Sequence, residues 1–63
     1  MEFKDKIKVV RLKLFMSQQA FARELGVAFS TLNRWENGHR KPTYKGQKAF
    51  HEICIKHGIK FDE

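Results

Sequence analysis

The chain has 63 residues, of which 41% are hydrophobic, and its 13 Lys and Arg against 7 Asp and Glu give a formal net charge of +6. This length allows one small domain, so we expect residues 1–63 to form a single domain near the lower size limit for a core without disulfides. Cys54 is the only cysteine, which excludes an intrachain disulfide, and no apolar stretch has the length of a signal peptide or a membrane span. We therefore expect a cytoplasmic protein with a polyanionic partner.

The first two segments each carry one apolar stripe with the spacing of an α-helix. In the first segment the stripe consists of Phe3, Ile7, Val10 and Leu14. The second helix is predicted at about residues 17–25, where the Ser17 hydroxyl can cap its start and Gly26 can take the left-handed conformation that ends it. Its inner face is predicted to hold Phe21, Ala22 and Leu25. The second helix is therefore little more than two turns long.

The next two segments are helical by the same criteria. A third helix is predicted at about residues 29–36, with Leu32 and Trp35 facing inward. A fourth begins after Pro42 and ends near Gly58. The inward face of this last helix is predicted to hold Phe50, Ile53, Cys54 and His57. The predicted fold class is all-α, a compact bundle of four to five helices.

The second and third helices are joined by a very short link that contains Gly26. Two short helices joined by a turn of about three or four residues match the helix-turn-helix motif, which places its second helix in the major groove of DNA. Ala22 is small where the two helices should approach most closely, and Val27 and Leu32 can fill the space between them. An ordinary small helical bundle would show the same apolar pattern. Only the residues of the polar face can therefore distinguish a helix-turn-helix domain from such a bundle.

The outer face of the third helix carries no carboxylate. At about 100° per residue, that face holds Phe29, Ser30, Asn33, Arg34 and Asn37. A guanidinium can read guanine, an amide can read adenine, and a hydroxyl can read either. The start of the second helix and the basic loop after the third helix can contact phosphates, through Gln18, Gln19, Arg40 and Lys41. The polar face therefore favours DNA binding over an ordinary bundle.

From about Ile7 to Pro42, the sequence resembles the XRE-type helix-turn-helix domains of the lambda Cro and phage repressor kind. The resemblance is carried by "SQQ" at the start of the second helix, by the spacing from Ala22 to Gly26, and by "RWENG" followed by a basic loop and a proline. It implies a helical bundle that binds operator-like DNA, commonly as a symmetric dimer, and that regulates transcription without catalysis. It also implies a bacterial or phage-encoded, nucleoid-associated protein.

The resemblance also implies roles for individual residues. The family's base-reading positions fall on Phe29, Ser30 and Arg34, with Thr31 and Asn33 nearby. Its phosphate-contacting positions fall on Gln18, Asn37 and Lys41. Arg11 and Glu36 match a structural ion pair between the first helix and the end of the third.

Three features depart from the family pattern. Ala28 stands where Ser or Thr usually caps the recognition helix, and Phe29 replaces a polar residue, so that it either contacts a thymine methyl or packs against a neighbour. One longer helix and a tail replace the usual two short C-terminal helices. In that helix Ile55 points away from the core and, with Ile59 and Phe61, is expected to form a homodimer contact. The alternative is a tail that folds back over Ile55.

Metal binding and catalysis find little support in the sequence. His51, Cys54 and His57 spread over about 120° of a helix, with no fourth ligand nearby. No phosphate loop or nucleophile beside a base is visible. We therefore predict no metal, no cofactor, no enzymatic activity and no small-molecule substrate. The predicted function is sequence-specific binding of double-stranded DNA by a transcriptional regulator, a repressor. The alternative is a helix-turn-helix module of an antitoxin or larger regulator whose main partner is a protein.

Overall fold

The computed structural model describes residues 1–61, and within them the regular structure consists of four α-helices and no strands. The helices are α1 (Phe3–Lys13), α2 (Gln18–Leu25), α3 (Phe29–Glu36) and α4 (Tyr44–Lys56). The predicted all-α class is confirmed, and α2 and α3 lie within one residue of their predicted bounds. In the described part of the chain, no helix is long and apolar enough to cross a membrane.

A single apolar core holds the four helices together. Its buried members are Ile7, Val10, Phe21, Ala22, Leu25, Leu32, Trp35, Phe50 and Cys54. Every helix contributes at least one of them, and burying each large aliphatic or aromatic side chain stabilises the fold by about 1.5 to 3 kcal/mol. The core therefore fixes α2 and α3 against α1 and α4.

Two of the helix ends use the residues that the sequence indicates, and the start of α4 has a side-chain cap of the same kind as α2. The Ser17 hydroxyl accepts a hydrogen bond of 3.1 Å from the Ala20 N–H at the start of α2. Gly26 ends that helix with φ of 73°, in the left-handed region where a glycine carries no steric penalty. The Thr43 hydroxyl accepts a hydrogen bond of 3.1 Å from the Gly46 N–H at the start of α4.

Gly46 allows α4 to pack directly on an indole ring. A Cβ atom at this position would lie only 2.5 Å from Cη2 of Trp35. The Phe3 ring closes the same region from α1, with its centroid 6.0 Å from Trp35 and 5.3 Å from Phe50, both edge to face. The core at this end of the bundle therefore has no room for a larger residue in place of the glycine.

The predicted inward position of His57 is wrong. His57 follows the last residue of α4 and is exposed. The chain turns at Gly58, and the Ile59 N–H donates a hydrogen bond of 2.8 Å to the Cys54 carbonyl. Ile59 therefore packs against the core, and an apolar side chain rather than the imidazole of His57 is half-buried at this end of α4.

Phe15, between α1 and α2, has an unusual conformation that the sequence analysis missed. Its φ is +56°, the only positive φ of a non-glycine residue in the described part of the chain, and its side chain is 96% exposed. An L-residue pays a steric cost in this region. Phe15 therefore combines backbone strain with a fully solvated aromatic ring.

Candidate nucleic-acid interface

A tight turn fixes α3 against α2. After Gly26, the Val27 N–H donates a hydrogen bond of 3.0 Å to the Ala22 carbonyl, and Val27 packs against the core. Ala22 and Leu32, one from each helix, are both buried. Because the small Ala22 side chain and the short turn leave little freedom, the outer face of α3 has one orientation relative to α2.

The outer face of α3 is polar and open to solvent. Its exposed residues are Phe29, Ser30, Arg34 and Asn37, and its half-buried residues are Thr31 and Asn33. Ser30, Asn33, Arg34 and Asn37 fall within an arc of about 100°. Ala28 precedes the helix without a side-chain cap, so the N–H groups at the start of α3 lack a protein side-chain acceptor.

Arg34 presents an uncommitted guanidinium on this face. Within the described residues, its side chain makes no hydrogen bond or ion pair, and it is exposed. Its planar fork of donors is therefore free to bind an external acceptor such as O6 and N7 of guanine.

Glu36, the one carboxylate of α3, is removed from this face by burial. It is 3% exposed, and its two oxygens accept hydrogen bonds of 2.8 Å from Nε and 3.1 Å from Nη2 of Arg11. Arg11 also donates to the Met16 carbonyl at 3.1 Å. Because the carboxylate is buried and paired, it does not oppose an approaching polyanion.

A chain of amide hydrogen bonds extends from this ion pair to the surface. Gln18 Nε2 donates to Glu36 at 3.2 Å, Asn33 Nδ2 donates to Gln18 at 3.4 Å, and Asn37 Nδ2 donates to Asn33 at 3.1 Å. A carboxylate can only accept, so it determines which way each amide points. Three predicted DNA-contacting residues are therefore joined and oriented by one buried charge.

The basic flank of the interface lies directly after α3. Arg40 and Lys41 are exposed in this loop, which is tied to α3 by a hydrogen bond of 2.9 Å from the His39 N–H to the Arg34 carbonyl. On the other flank, Gln19 is exposed in the first turn of α2. The structure thus leaves these predicted phosphate-contacting side chains accessible.

Lys4 joins this basic loop from α1, a contact that the sequence analysis did not assign. A Cβ atom at Gly38 would lie 3.0 Å from Cδ and 3.8 Å from Nζ of Lys4, so the lysine side chain covers the start of the loop. The alternation of lysines in α1 gives no sign of which one reaches α3, because that depends on how the two helices pack.

The candidate metal ligands do not form a site. No group of three His, Cys, Asp or Glu residues is placed to hold a metal ion within residues 1–61. Burial raises the pKa of the Cys54 thiol above its usual range, an effect that the charge of Lys6 partly offsets. The thiol therefore stays protonated near neutral pH, which disfavours thiolate ligation.

Two short helices joined by a tight turn, the second with a polar outer face that carries no carboxylate and lies next to a basic loop, define a DNA-binding helix-turn-helix protein. The comparison with known families agrees. The helix-turn-helix family model HTH_3 matches residues 7–45, which is more than half of the chain. The chain belongs to this family, the XRE or lambda Cro-like group, and the resemblance found in the sequence is confirmed. It is a family of DNA-binding domains and not of enzymes. No curated protein and no solved structure gives a significant match.

Proposed function

We propose that this protein is a transcriptional repressor that binds a specific double-stranded DNA sequence, with α3 lying in the major groove. The observation that carries the proposal is the exposed α3 face, on which Arg34 has no partner among residues 1–61, while the only carboxylate of α3, Glu36, is buried against Arg11. Such a face can bind base edges without electrostatic repulsion from DNA.

The residues of this face have distinct proposed roles. Arg34 donates to guanine, and Phe29, 51% exposed, contacts a thymine methyl. Ser30 and Thr31 supply hydroxyls next to them. Asn33 keeps one amide hydrogen and one lone pair beyond its internal hydrogen bonds, which is enough for a paired contact with adenine.

Phosphate contacts hold α3 in register on the duplex. The residues proposed for them are Gln18, Gln19, Asn37, Arg40 and Lys41, and the position of Lys4 beside Gly38 adds a further cation to this set. Gln18 and Asn37 belong to the amide chain, so their phosphate contacts would also fix Asn33. Repression then follows from occupancy of the operator.

We further propose that the protein acts as a homodimer in the cytoplasm of a bacterium or a phage-infected cell. One recognition helix covers only a half-site, and a two-fold pair of recognition helices covers two half-sites about 34 to 36 Å apart. A second candidate function is favoured by Tyr44 and Ile55, which are 77% and 67% exposed on α4. These side chains would also suit a module of an antitoxin or larger regulator whose main partner is a different protein.

Selection of bound sequences from a random pool of DNA duplexes tests the proposal. We expect one preferred sequence, and we expect Arg34→Ala to weaken binding to it by about 1 to 3 kcal/mol while changing binding to random DNA much less. Lys56→Ala, at an exposed position at the end of α4, is the matched control. It should change neither the affinity for the preferred sequence nor the affinity for random DNA. An unenriched pool, or an equal loss on both kinds of DNA for Arg34→Ala, would contradict the proposed readout.

A further inference from the structure

An open groove lies between α1, α4 and the segment that follows α4. Its apolar lining consists mainly of Phe3, Phe50, Ile55, Ile59 and Phe61. The groove has a volume of about 1060 Å³, at the upper end of the range of about 300 to 1,000 Å³ that is usual for small-molecule pockets. None of the residues proposed to contact DNA lines it. The groove is therefore a second surface, separate from the outer face of α3.

The C-terminal segment as far as Phe61 forms one wall of the groove and leaves the α4 wall uncovered. This segment packs against the core, and Ile55 remains 67% exposed. Tyr44 also lines the groove and is 77% exposed. The alternative in which the tail covers Ile55 is therefore wrong for the described residues. Large exposed apolar side chains beside an open groove indicate a contact surface.

The rim of this groove is basic. Lys6 of α1, Lys48 of α4 and Lys60 of the C-terminal segment all line it, and no Asp or Glu is among the described residues that do so. The Lys6 ammonium lies 5.5 Å from the centroid of the Phe61 ring, a cation–π contact. Lys48 and Lys60 are exposed, and their long side chains can reach a ligand that lies on the apolar lining. The groove thus combines apolar contact area with positive charge.

This combination discriminates between possible occupants. A second copy of the chain would bring the same lysines and another net charge of +6 to the contact, so like charges would oppose it. A small anionic molecule would stay largely exposed in an open groove of this volume. A helical peptide with an apolar stripe and acidic flanks matches both the apolar lining and the basic rim.

We propose that the groove is the docking site of an acidic, amphipathic segment of a partner protein. The segment lays its apolar stripe on Ile55 and Phe61 and its carboxylates against Lys48 and Lys60. The inference does not depend on DNA binding, and it gives the second candidate function a site and a partner chemistry. Because the groove and the candidate interface share no residue, a bound partner leaves the α3 face open.

Binding of a synthetic peptide to the full chain tests the proposal. The probe is a fluorescently labelled peptide of about 15 residues, with Leu and Phe at helical spacing on one face and Glu on the flanks. By fluorescence anisotropy at about 0.15 M salt, we expect a Kd of roughly 10 to 100 μM. One control peptide has the same composition in scrambled order, and another has Lys in place of every Glu. Both should bind about tenfold or more weakly than the probe.

Variants of the chain locate the contact. Ile55→Glu places a carboxylate on the apolar lining and should weaken binding of the probe by about tenfold or more. Lys48→Glu should weaken it about threefold to tenfold relative to Lys8→Glu, which makes the same charge change outside the groove. The double variant Lys48→Glu with Lys60→Glu should bind the lysine peptide more tightly than the wild type does. Because these positions are exposed, each variant should keep the wild-type circular dichroism spectrum and melting temperature, which separates a lost contact from a lost fold.

Three results would overturn the inference. Equal affinity for the probe and for its scrambled form would show a general attraction for polyanions, nucleic acid included. Equal effects of Lys48→Glu and Lys8→Glu would place the peptide elsewhere on the chain. The third result is no peptide binding up to roughly 1 mM protein; if sedimentation equilibrium then shows dimers that Ile55→Glu abolishes, the groove belongs to a second copy. Specific DNA binding can persist with any of them, so a failure of this inference is distinguishable from a failure of the proposed function.

Discussion

Arg11 and Glu36, 25 positions apart in the sequence, are joined by two hydrogen bonds of 2.8 and 3.1 Å between the guanidinium and the carboxylate. This pair links the end of α1 to the end of α3, and Gln18 of α2 donates to the same carboxylate at 3.2 Å. Three helices therefore meet at one buried charge. Since the candidate interface depends on how these helices are placed, the pair fixes the position of α3 from its buried side.

Loss of Arg11 should destabilise the whole domain. Arg11→Met leaves the Glu36 carboxylate buried without its cation, and we expect the free energy of unfolding to fall by about 3 to 5 kcal/mol. The double variant Arg11→Met with Glu36→Leu removes both charges, so its loss in free energy of unfolding should be clearly smaller than that of Arg11→Met alone. Urea denaturation of the three proteins measures this. A double variant as unstable as Arg11→Met would show that lost packing, rather than a stranded charge, causes the defect.

Gly46→Ala should destabilise the fold although alanine is the better helix former. The helical preference favours alanine by about 1 kcal/mol. The added methyl group would lie 2.5 Å from the Trp35 ring, and such overpacking costs about 1 to 3 kcal/mol. We expect a net loss of stability in thermal unfolding, together with a changed Trp35 fluorescence spectrum. A stabilised protein with an unchanged spectrum would contradict the close packing of α4 on this ring.

Phe15→Gly should stabilise the protein. Glycine relieves the backbone strain at φ +56°, which should raise the free energy of unfolding by about 1 to 2 kcal/mol. Part of this gain is offset because glycine gives the unfolded chain more conformational freedom. Because the Phe15 ring is exposed, little packing is lost with it. Phe15→Ala, which keeps the strain, is the matched control and should leave the free energy of unfolding nearly unchanged. If alanine stabilised as much as glycine, the left-handed conformation would not be the cause.

Lys41→Ala should weaken DNA binding without changing sequence preference. A phosphate contact does not depend on the base sequence, so the affinities for the preferred duplex and for random DNA should fall by the same factor. The slope of log affinity against log salt concentration should become shallower by about 1. Fluorescence anisotropy at several salt concentrations, with Lys56→Ala as the control, measures both quantities. A loss confined to the preferred duplex would reassign Lys41 to base readout.

The sequence is enough to predict the elements that depend on local patterns. Stripe spacing located all four helices, and Ser17 and Gly26 marked the ends of α2 because capping and left-handed turns depend on a few neighbouring residues. His57 was misplaced because helical periodicity does not show where the core ends. Ile59, beyond the turn at Gly58, packs against the core although it lies outside the helix.

The side-chain geometry of the interface is a property of tertiary packing. The hydrogen bonds of Gln18 with Glu36 and with Asn33 span 18 and 15 residues, so no local pattern reveals them. The strain at Phe15 was missed for a related reason. Nothing in its neighbours requires a positive φ until the α1–α2 connection has to close against the core, where the Met16 N–H donates to the Arg11 carbonyl at 3.1 Å.

The most direct test of DNA recognition is the affinity for the selected duplex and for an unrelated duplex, measured by anisotropy over a range of salt concentrations. With about 4 to 8 phosphates neutralised, we expect slopes of log affinity against log salt near −4 to −7, and a selected duplex that binds about 10³-fold or more tightly than the unrelated one at every salt concentration. A slope near zero, or equal affinities for the two duplexes, would contradict sequence-specific DNA binding by α3.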